Sequence, residues 1–242
     1  MVCILEPFVR LRSNPSTVYL GVDREQAASN AANNRNLTAD LVRRFIRWPS
    51  LEKFDNDTPT FSPSPFSDVP NPRYIWDTPS RPGQMEAFGI ATRPFTVRSG
   101  RGNSFIIFLT AFADNAMRAK IELYRRNSNG FYVKTVPQPT GLDDFVMVAG
   151  SSNPSTGRTE DPPFNWQDVS YYSTLFTIGR SGTYKIVISF DATNYFLPPE
   201  ATENPAGIQF VSDIYRLISD LVPTPFEAEG ESDDEEREEV QE

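Results

Sequence analysis

Residues 117–124, MRAKIELY, alternate: Met117, Ala119, Ile121 and Leu123 are apolar, and Arg118, Lys120, Glu122 and Tyr124 stand between them. Successive side chains of a strand point to opposite faces, so this pattern specifies a half-buried strand. The stretch 184–190, YKIVISF, repeats it with Tyr184, Ile186, Ile188 and Phe190. Met117, Ile121, Leu123, Ile186, Ile188 and Phe190 are therefore expected to share one core.

Outward from these two strands the chain reads as short strands divided by turns. Asn127-Ser128-Asn129-Gly130 is a turn signal, and Phe131-Tyr132-Val133 is its return strand. Phe145–Val148 and Val169–Ile178 are rich in β-formers, and Ser181-Gly182 marks a turn before Tyr184. Such spacing specifies an all-β chain, an antiparallel sandwich or jelly roll. The run 105–112, FIIFLTAF, fits a buried strand and a helical stripe equally well. Two short helices are expected beside the strands. Leu37, Leu41, Val42, Phe45 and Ile46 make one stripe over Leu37–Arg47, and Trp48-Pro49 ends it. Phe210, Ile214, Leu217, Ile218 and Leu221 make a second, with Pro223 and Pro225 beyond it. Between 55 and 82 lie seven prolines together with Phe61, Phe66, Tyr74, Ile75 and Trp76. Prolines exclude a central strand and a helix interior, while the aromatics favour an ordered loop wrapped over a surface.

The charge is concentrated at one place. Of 32 acids and 23 bases, residues 227–242 (EAEGESDDEEREEVQE) hold ten acids and one base, which leaves the other 226 residues balanced. A nucleic-acid-binding body is thus absent at the level of net charge. The tail is expected to be disordered in isolation, because its carboxylates repel one another. It either keeps an assembly intermediate soluble or docks on a basic patch of a neighbour, and a solvent-exposed tail without a specific partner is the favoured expectation.

Chemistry is scarce. The chain has no His and one Cys, Cys3, so Ser-His-Asp and Cys-His sites, His-bearing metal sites and disulfides are excluded. Asp143-Asp144 and Glu160-Asp161 are adjacent acids of solvated turns rather than a glycosidase pair. Asp55-Asn56-Asp57 lacks the Gly and later ligands of a calcium loop, and Ser99–Gly102 lacks the Lys-Ser/Thr of a phosphate loop. The sequons at Asn36 and Asn56 are read as chance. No cofactor, metal or catalytic residue is expected. No run of 18 apolar residues exists, so no membrane insertion is expected, and the apolar opening Met1–Leu5 is too short for a signal-peptide core.

What remains is surface for contact. Arg43, Arg44 and Arg47 form a solvated, dipole-favoured helix face that is also a candidate for a partner's carboxylates or RNA. Tyr74, Trp76, Trp166, Tyr171 and Tyr172 lie in turn-rich or loop-flanked segments and are the aromatic interface candidates.

Asn115-Ala116-Met117-Arg118-Ala119-Lys120-Ile121, after an aromatic stretch, resembles the Gly-Ser-Met-Arg-aromatic-Lys-Ile strand of picorna-like virus capsid proteins, especially those of insect viruses. Asp168–Ser173 is similar to that family's Val-Pro-Tyr-Tyr-Ser segment, Tyr184–Pro199 to its last strand, and Leu41–Arg47 to its Leu-Leu-x-Arg helix. Asn115-Ala116 and Ser170 depart from the pattern. The resemblance implies an eight-stranded jelly roll, with 105–112 as a short helix. It implies no catalytic residue and release from a polyprotein. It further implies assembly with sister capsid subunits into an icosahedral virion in the host cytoplasm, with at most indirect contact to genomic RNA. On this division residues 1–36 are an arm with the first strand, 37–204 the jelly-roll body, 205–226 a C-terminal helix and extension, and 227–242 the acidic tail. The alternative is a carbohydrate-binding β-sandwich module, which needs aromatics on one exposed sheet face; the alternation instead puts Tyr184 and Phe190 in the core.

Overall fold

A computed structural model describes residues 2–35, 37–51, 65–66, 68–98, 103–142, 144–150, 167–196 and 203–220. The chain runs β1 (Val2–Arg12), β2 (Tyr19–Gly21), α1 (Arg24–Asn33), β3 (Asp40–Leu41), β4 (Ile75–Trp76), β5 (Met85–Ala91), β6 (Phe95–Val97), β7 (Ser104–Asp114), β8 (Ala116–Arg126), β9 (Tyr132–Lys134), β10 (Met147–Ala149), β11 (Ser170–Thr177), β12 (Gly182–Thr193) and β13 (Gly207–Asp220).

The pairing of these strands defines the fold. β1 pairs β13, β5 pairs β12, β7 pairs β11 and β8 pairs β10, all antiparallel. The first half of the chain is thus laid against the second half in reverse order, as one long hairpin. Rolling that hairpin puts alternate pairs in different sheets, joined by β13–β7 in one and β12–β8 in the other. One sheet then reads β11-β7-β13 with β1, β4 and β3 beyond, and the other β10-β8-β12-β5-β2, with β6 on β12 and β9 on β8. This is the eight-stranded antiparallel jelly-roll sandwich.

The inner faces interlock as the alternation requires. Ile121 lies directly opposite Ile188, and Leu123 opposite Ile186. All six residues expected in one core are buried in a single cluster with Ile107, Leu109 and Ile214 of the facing sheet. Phe190 stacks on Phe210 across the sandwich at 4.6 Å between ring centroids.

Three helix expectations are corrected. Leu37–Arg47 is not helical: Leu37 accepts a backbone hydrogen bond from Leu20, Ala39 donates to Val18, and Val42 donates to Tyr74. Long-range pairing with β2 and β4 outcompetes the local stripe, and Leu37, Leu41 and Ile46 are exposed. Residues 105–112 form the middle of β7, not the short helix implied by the resemblance. Phe210–Asp220 belongs to β13, a central strand hydrogen-bonded on both edges by β7 and β1.

The helix among the described residues, α1, covers the outer face of the second sheet. Asp23 caps it by accepting from the Gln26 N–H at 2.7 Å. Its buried side is Ala27, Ala28, Ala31 and Ala32, small enough to lie flush on the strands. Lys185 of β12, itself buried, donates from Nζ to the Ala32 carbonyl at 2.7 Å, the cation favoured at a helix C-terminus. Burial lowers the Lys185 pKa. The close approach needs Gly89 of β5, where a Cβ would lie 2.3 Å from the Ala27 carbonyl oxygen. Gly89→Ala is therefore expected to lower the urea midpoint by the equivalent of about 1–3 kcal/mol. Gly179→Ala, with nothing within 4 Å of its Cβ, should stay within about 0.5 kcal/mol.

Candidate interaction face

The outer face of the β11-β7-β13-β1 sheet carries a group of exposed and half-buried apolar side chains. Alternation sends Phe105, Ile107, Leu109 and Ala111 of β7 inward and leaves Ser104, Ile106 and Phe108 half-buried on the other face, where Thr110 is covered. Register then sets the rows: Tyr171 beside Thr110, Ser173 beside Phe108 and Asp213, Leu175 beside Ile106 and Tyr215, Ser104 beside Leu217, and Leu217 beside Leu5. Tyr171 is 60% exposed, Leu175 54% and Leu5 46%.

An aromatic row crosses this sheet. Tyr171 stacks on Phe108 at 6.4 Å, and Phe108 meets Tyr215 edge-on at 5.9 Å. Tyr215 meets Phe66 edge-on at 5.4 Å, and the Arg10 guanidinium lies 5.2 Å over the Phe66 ring. Arg10 also forms a forked ion pair with Asp213 through Nε and Nη2. Burial first, then the Asp213 charge, raises the Tyr215 pKa, with Arg10 opposing. Rings and aliphatic side chains mix here with the hydroxyls of Ser104 and Ser173. Among the described residues no three His, Cys, Asp or Glu side chains gather to hold a metal.

The second sheet carries a charged centre under α1. Glu122 is fully buried; its Oε2 accepts from Arg24 Nη1 at 2.8 Å and its Oε1 lies 2.6 Å from Lys134 Nζ. Arg24 Nη1 also donates to Ser189 Oγ at 2.9 Å. Burial pushes the Glu122 pKa up, but the Lys134 hydrogen bond and the two cations outweigh it, and the net shift is downward. Arg24, Arg118 and Lys120 ring the half-exposed Phe145. With both oxygens of Glu122 taken and no solvent access, this cluster holds α1 to the sheet.

The sequence candidates scatter. Tyr171 lies on the aromatic row, and Tyr172 beside it turns inward against the core. Tyr74 is buried against Trp48 and Phe112, its hydroxyl donating to the Pro49 carbonyl. Trp76 is fully buried, donating from Nε1 to Gln84 Oε1 and packing on Phe88. Neither presents its ring on the surface of the chain: a large ring on a short strand or at a strand end fills the core. Arg43 and Arg47 are exposed, and Arg44 folds back to donate to the Trp48 carbonyl; they sit on an irregular segment, not on a helix face. Trp166, the acids 160–161, Asp143, the 55–57 and 99–102 loops, both sequon asparagines and the tail lie outside the described residues. Phe108, Tyr215 and Leu217 are not among the sequence candidates because 104–114 and 207–220 do not read unambiguously as strands; Leu175 lies on β11, within the expected strand 169–178.

Comparison by sequence finds no family model and no curated protein that matches the chain. Among solved structures it is similar to a family 61 carbohydrate-binding module in complex with β-1,4-galactotriose, at 10% identity and a TM-score of 0.30 over 88% of this chain and 90% of that one. It is also similar to the K3 cleaved adhesin domain of Lys-gingipain from Porphyromonas gingivalis, at 9% identity and a TM-score of 0.29 over 72% and 93%. A family 28 module specific for non-crystalline cellulose follows, at 12% identity and 0.28 over 62% and 76%. The chain's own strand pairing defines its class, an antiparallel jelly-roll sandwich. Among the described residues no helix is long and apolar enough to cross a membrane.

Proposed function

We propose that this chain is a non-enzymatic structural subunit. In this reading it assembles with sister jelly-roll chains into an icosahedral shell of the picorna-like type, is released from a polyprotein and is built into virions in the host cytoplasm. The observation that carries the reading is the outer face of the β11-β7-β13-β1 sheet. Leu175, Ile106, Leu217 and Leu5 lie among its rings, and aliphatic surface of this kind suits burial against another protein. Mass by size exclusion and electron microscopy of material purified from its source are the test. Shell particles containing two or three companion chains are expected; a non-associating monomer that binds no hydrophobic dye overturns the reading.

One observation favours a second reading, a carbohydrate-binding sandwich module. The row Tyr171, Phe108 and Tyr215, with Tyr171 exposed and the other two half-buried, is an aromatic row on a sheet face of the kind such a module needs. Retention on a polysaccharide resin, abolished in Tyr171→Ala, supports this alternative over the shell. For the shell reading, Tyr171→Ser with Leu175→Ser is expected to leave unfolding within about 0.5 kcal/mol per site. The same double variant should remove dye binding and self-association, measured by fluorescence and sedimentation velocity.

A further inference from the structure

At the end of the sandwich where β13 finishes, a cleft and a set of arginines lie together. The cleft, about 370 Å³ in volume, is lined by Leu123, Val136, Ile178 and Tyr184, with exposed Arg125 and Arg180. Arg125 lies 5.9 Å over the Tyr184 ring and donates to the Ser181 carbonyl at 3.0 Å. Arg126 follows Arg125 at the end of β8, also exposed. Arg98 follows Val97, which pairs Gly182 in the same end of the second sheet. Arg216 donates to Asn103 just before β7. Among the described residues near this end, Glu6 sits across the ladder from Arg216, Glu122 is engaged by Arg24 and Lys134, and Asp220 closes β13. The end therefore carries an excess of positive charge, although the chain outside its tail is balanced.

The C-terminal segment starts at this same end. Leu217 pairs Ser104, which pairs Thr177. Two strand spacings, about 10 Å, separate β13 from the β11 end beside the cleft. After Asp220 come 22 residues. Residues 221–226 are LVPTPF, apolar and ending in Phe226; 227–242 carry ten acids and one base. At about 3.3 Å per extended residue, six residues reach roughly 20 Å, past that separation, before the acids begin.

We propose that residues 221–242 dock in cis on this end of their own sandwich. Phe226 enters the cleft beside Tyr184, and the carboxylates that follow it lie across Arg125, Arg126 and Arg180. Arginine clusters recognise acidic segments by charge-assisted, often forked hydrogen bonds. The apolar 221–226 supplies an anchor that a bare acidic run lacks. The docked tail masks the arginine end from other polyanions, and the docking holds whether or not the chain builds a shell.

The test is glutamate-specific proteolysis of the full-length chain. Cleavage within 227–242 is followed by mass spectrometry, with each rate divided by that of a free synthetic 221–242 peptide under the same conditions. At low salt the tail is expected to be cut about tenfold more slowly than in about 1 M salt, where the screening length falls to about 3 Å. Arg125→Gln with Arg180→Gln should remove the protection, and so should Phe226→Ser, which leaves every charge in place; circular dichroism checks that each variant is folded. Arg180→Gln alone serves if the double variant fails to fold. Protection independent of protein concentration supports docking within one chain. Equal rates in all chains, protection that grows with concentration, or an arginine end that binds single-stranded oligonucleotide as well in the wild type as in a chain ending at 226 would each overturn the proposal.

Discussion

Ile188→Ala is expected to destabilise the chain by about 2–5 kcal/mol, and Ile121→Ala by a similar amount. The two side chains face each other across the β12–β8 ladder and are fully buried between the sheets. Each truncation removes three carbons from a site walled by neighbours that strand pairing holds in place, so the cavity collapses little and its cost adds to the lost transfer energy. The double variant should cost less than the sum of the two, because the residues share one cavity. Urea unfolding reads the effect as a lower midpoint at an unchanged slope. A loss under about 0.5 kcal/mol would mean that these positions do not face the core.

That core was legible because β8 and β12 each present one apolar inner row with charged or polar residues such as Arg118, Lys120, Lys185 and Ser189 between. Period two is unambiguous under those conditions. β7 and β13 sit at the centre of the other sheet, and their outer rows are largely apolar as well: Ile106 and Phe108 on one, and Val211, Tyr215 and Leu217 around Asp213 on the other. With both faces apolar the period disappears. A run such as FIIFLTAF then fits a helix as well as a strand, and β13 read as a helix because Phe210, Ile214 and Ile218 at spacing four share a face in either form. The same apolar outer rows are the candidate interaction face, so the feature that hid these strands is the feature that makes the surface.

α1 escaped for the opposite reason. Its buried side is alanine, and a search for large apolar residues at helical spacing passes over it. Nothing local marks the need for alanine; that need comes from Gly89 and Gly21, whose missing side chains let the helix backbone approach the sheet. Among the aromatic candidates, burial was decided by tertiary context. Trp76 lies on a two-residue strand tied to β13 and β3, Tyr74 just before it, and both turn into the core, whereas Tyr171 on β11 points out. Composition in a proline-rich stretch carries no sign of which way a ring faces.

Glu122→Ala is expected to cost about 3–5 kcal/mol, the loss that follows when one partner of a buried ion pair is removed. The cost falls mainly on Arg24, whose side chain is 8% exposed and cannot regain water without lifting the start of α1; Lys134, at 33%, can swing outward. Replacing the pair by Arg24→Met with Glu122→Leu should therefore recover most of the stability, since two apolar groups of similar volume leave no charge stranded. The pH dependence has a defined sign. The native pKa of Glu122 lies below its ordinary value of 4.5, so its ionised form contributes stability at every pH above 4.5. That contribution fades as pH falls below 4.5 and through the native pKa, because the unfolded chain binds the proton first. Thermal melts of wild type and Glu122→Gln from neutral pH downward should show a wide gap that holds to about pH 5 and narrows below the ordinary pKa. A gap that stays constant as wild type goes through its acid transition, or one that opens at low pH, would mean that the carboxylate is not held ionised by Arg24 and Lys134 and that α1 is secured by alanine packing alone.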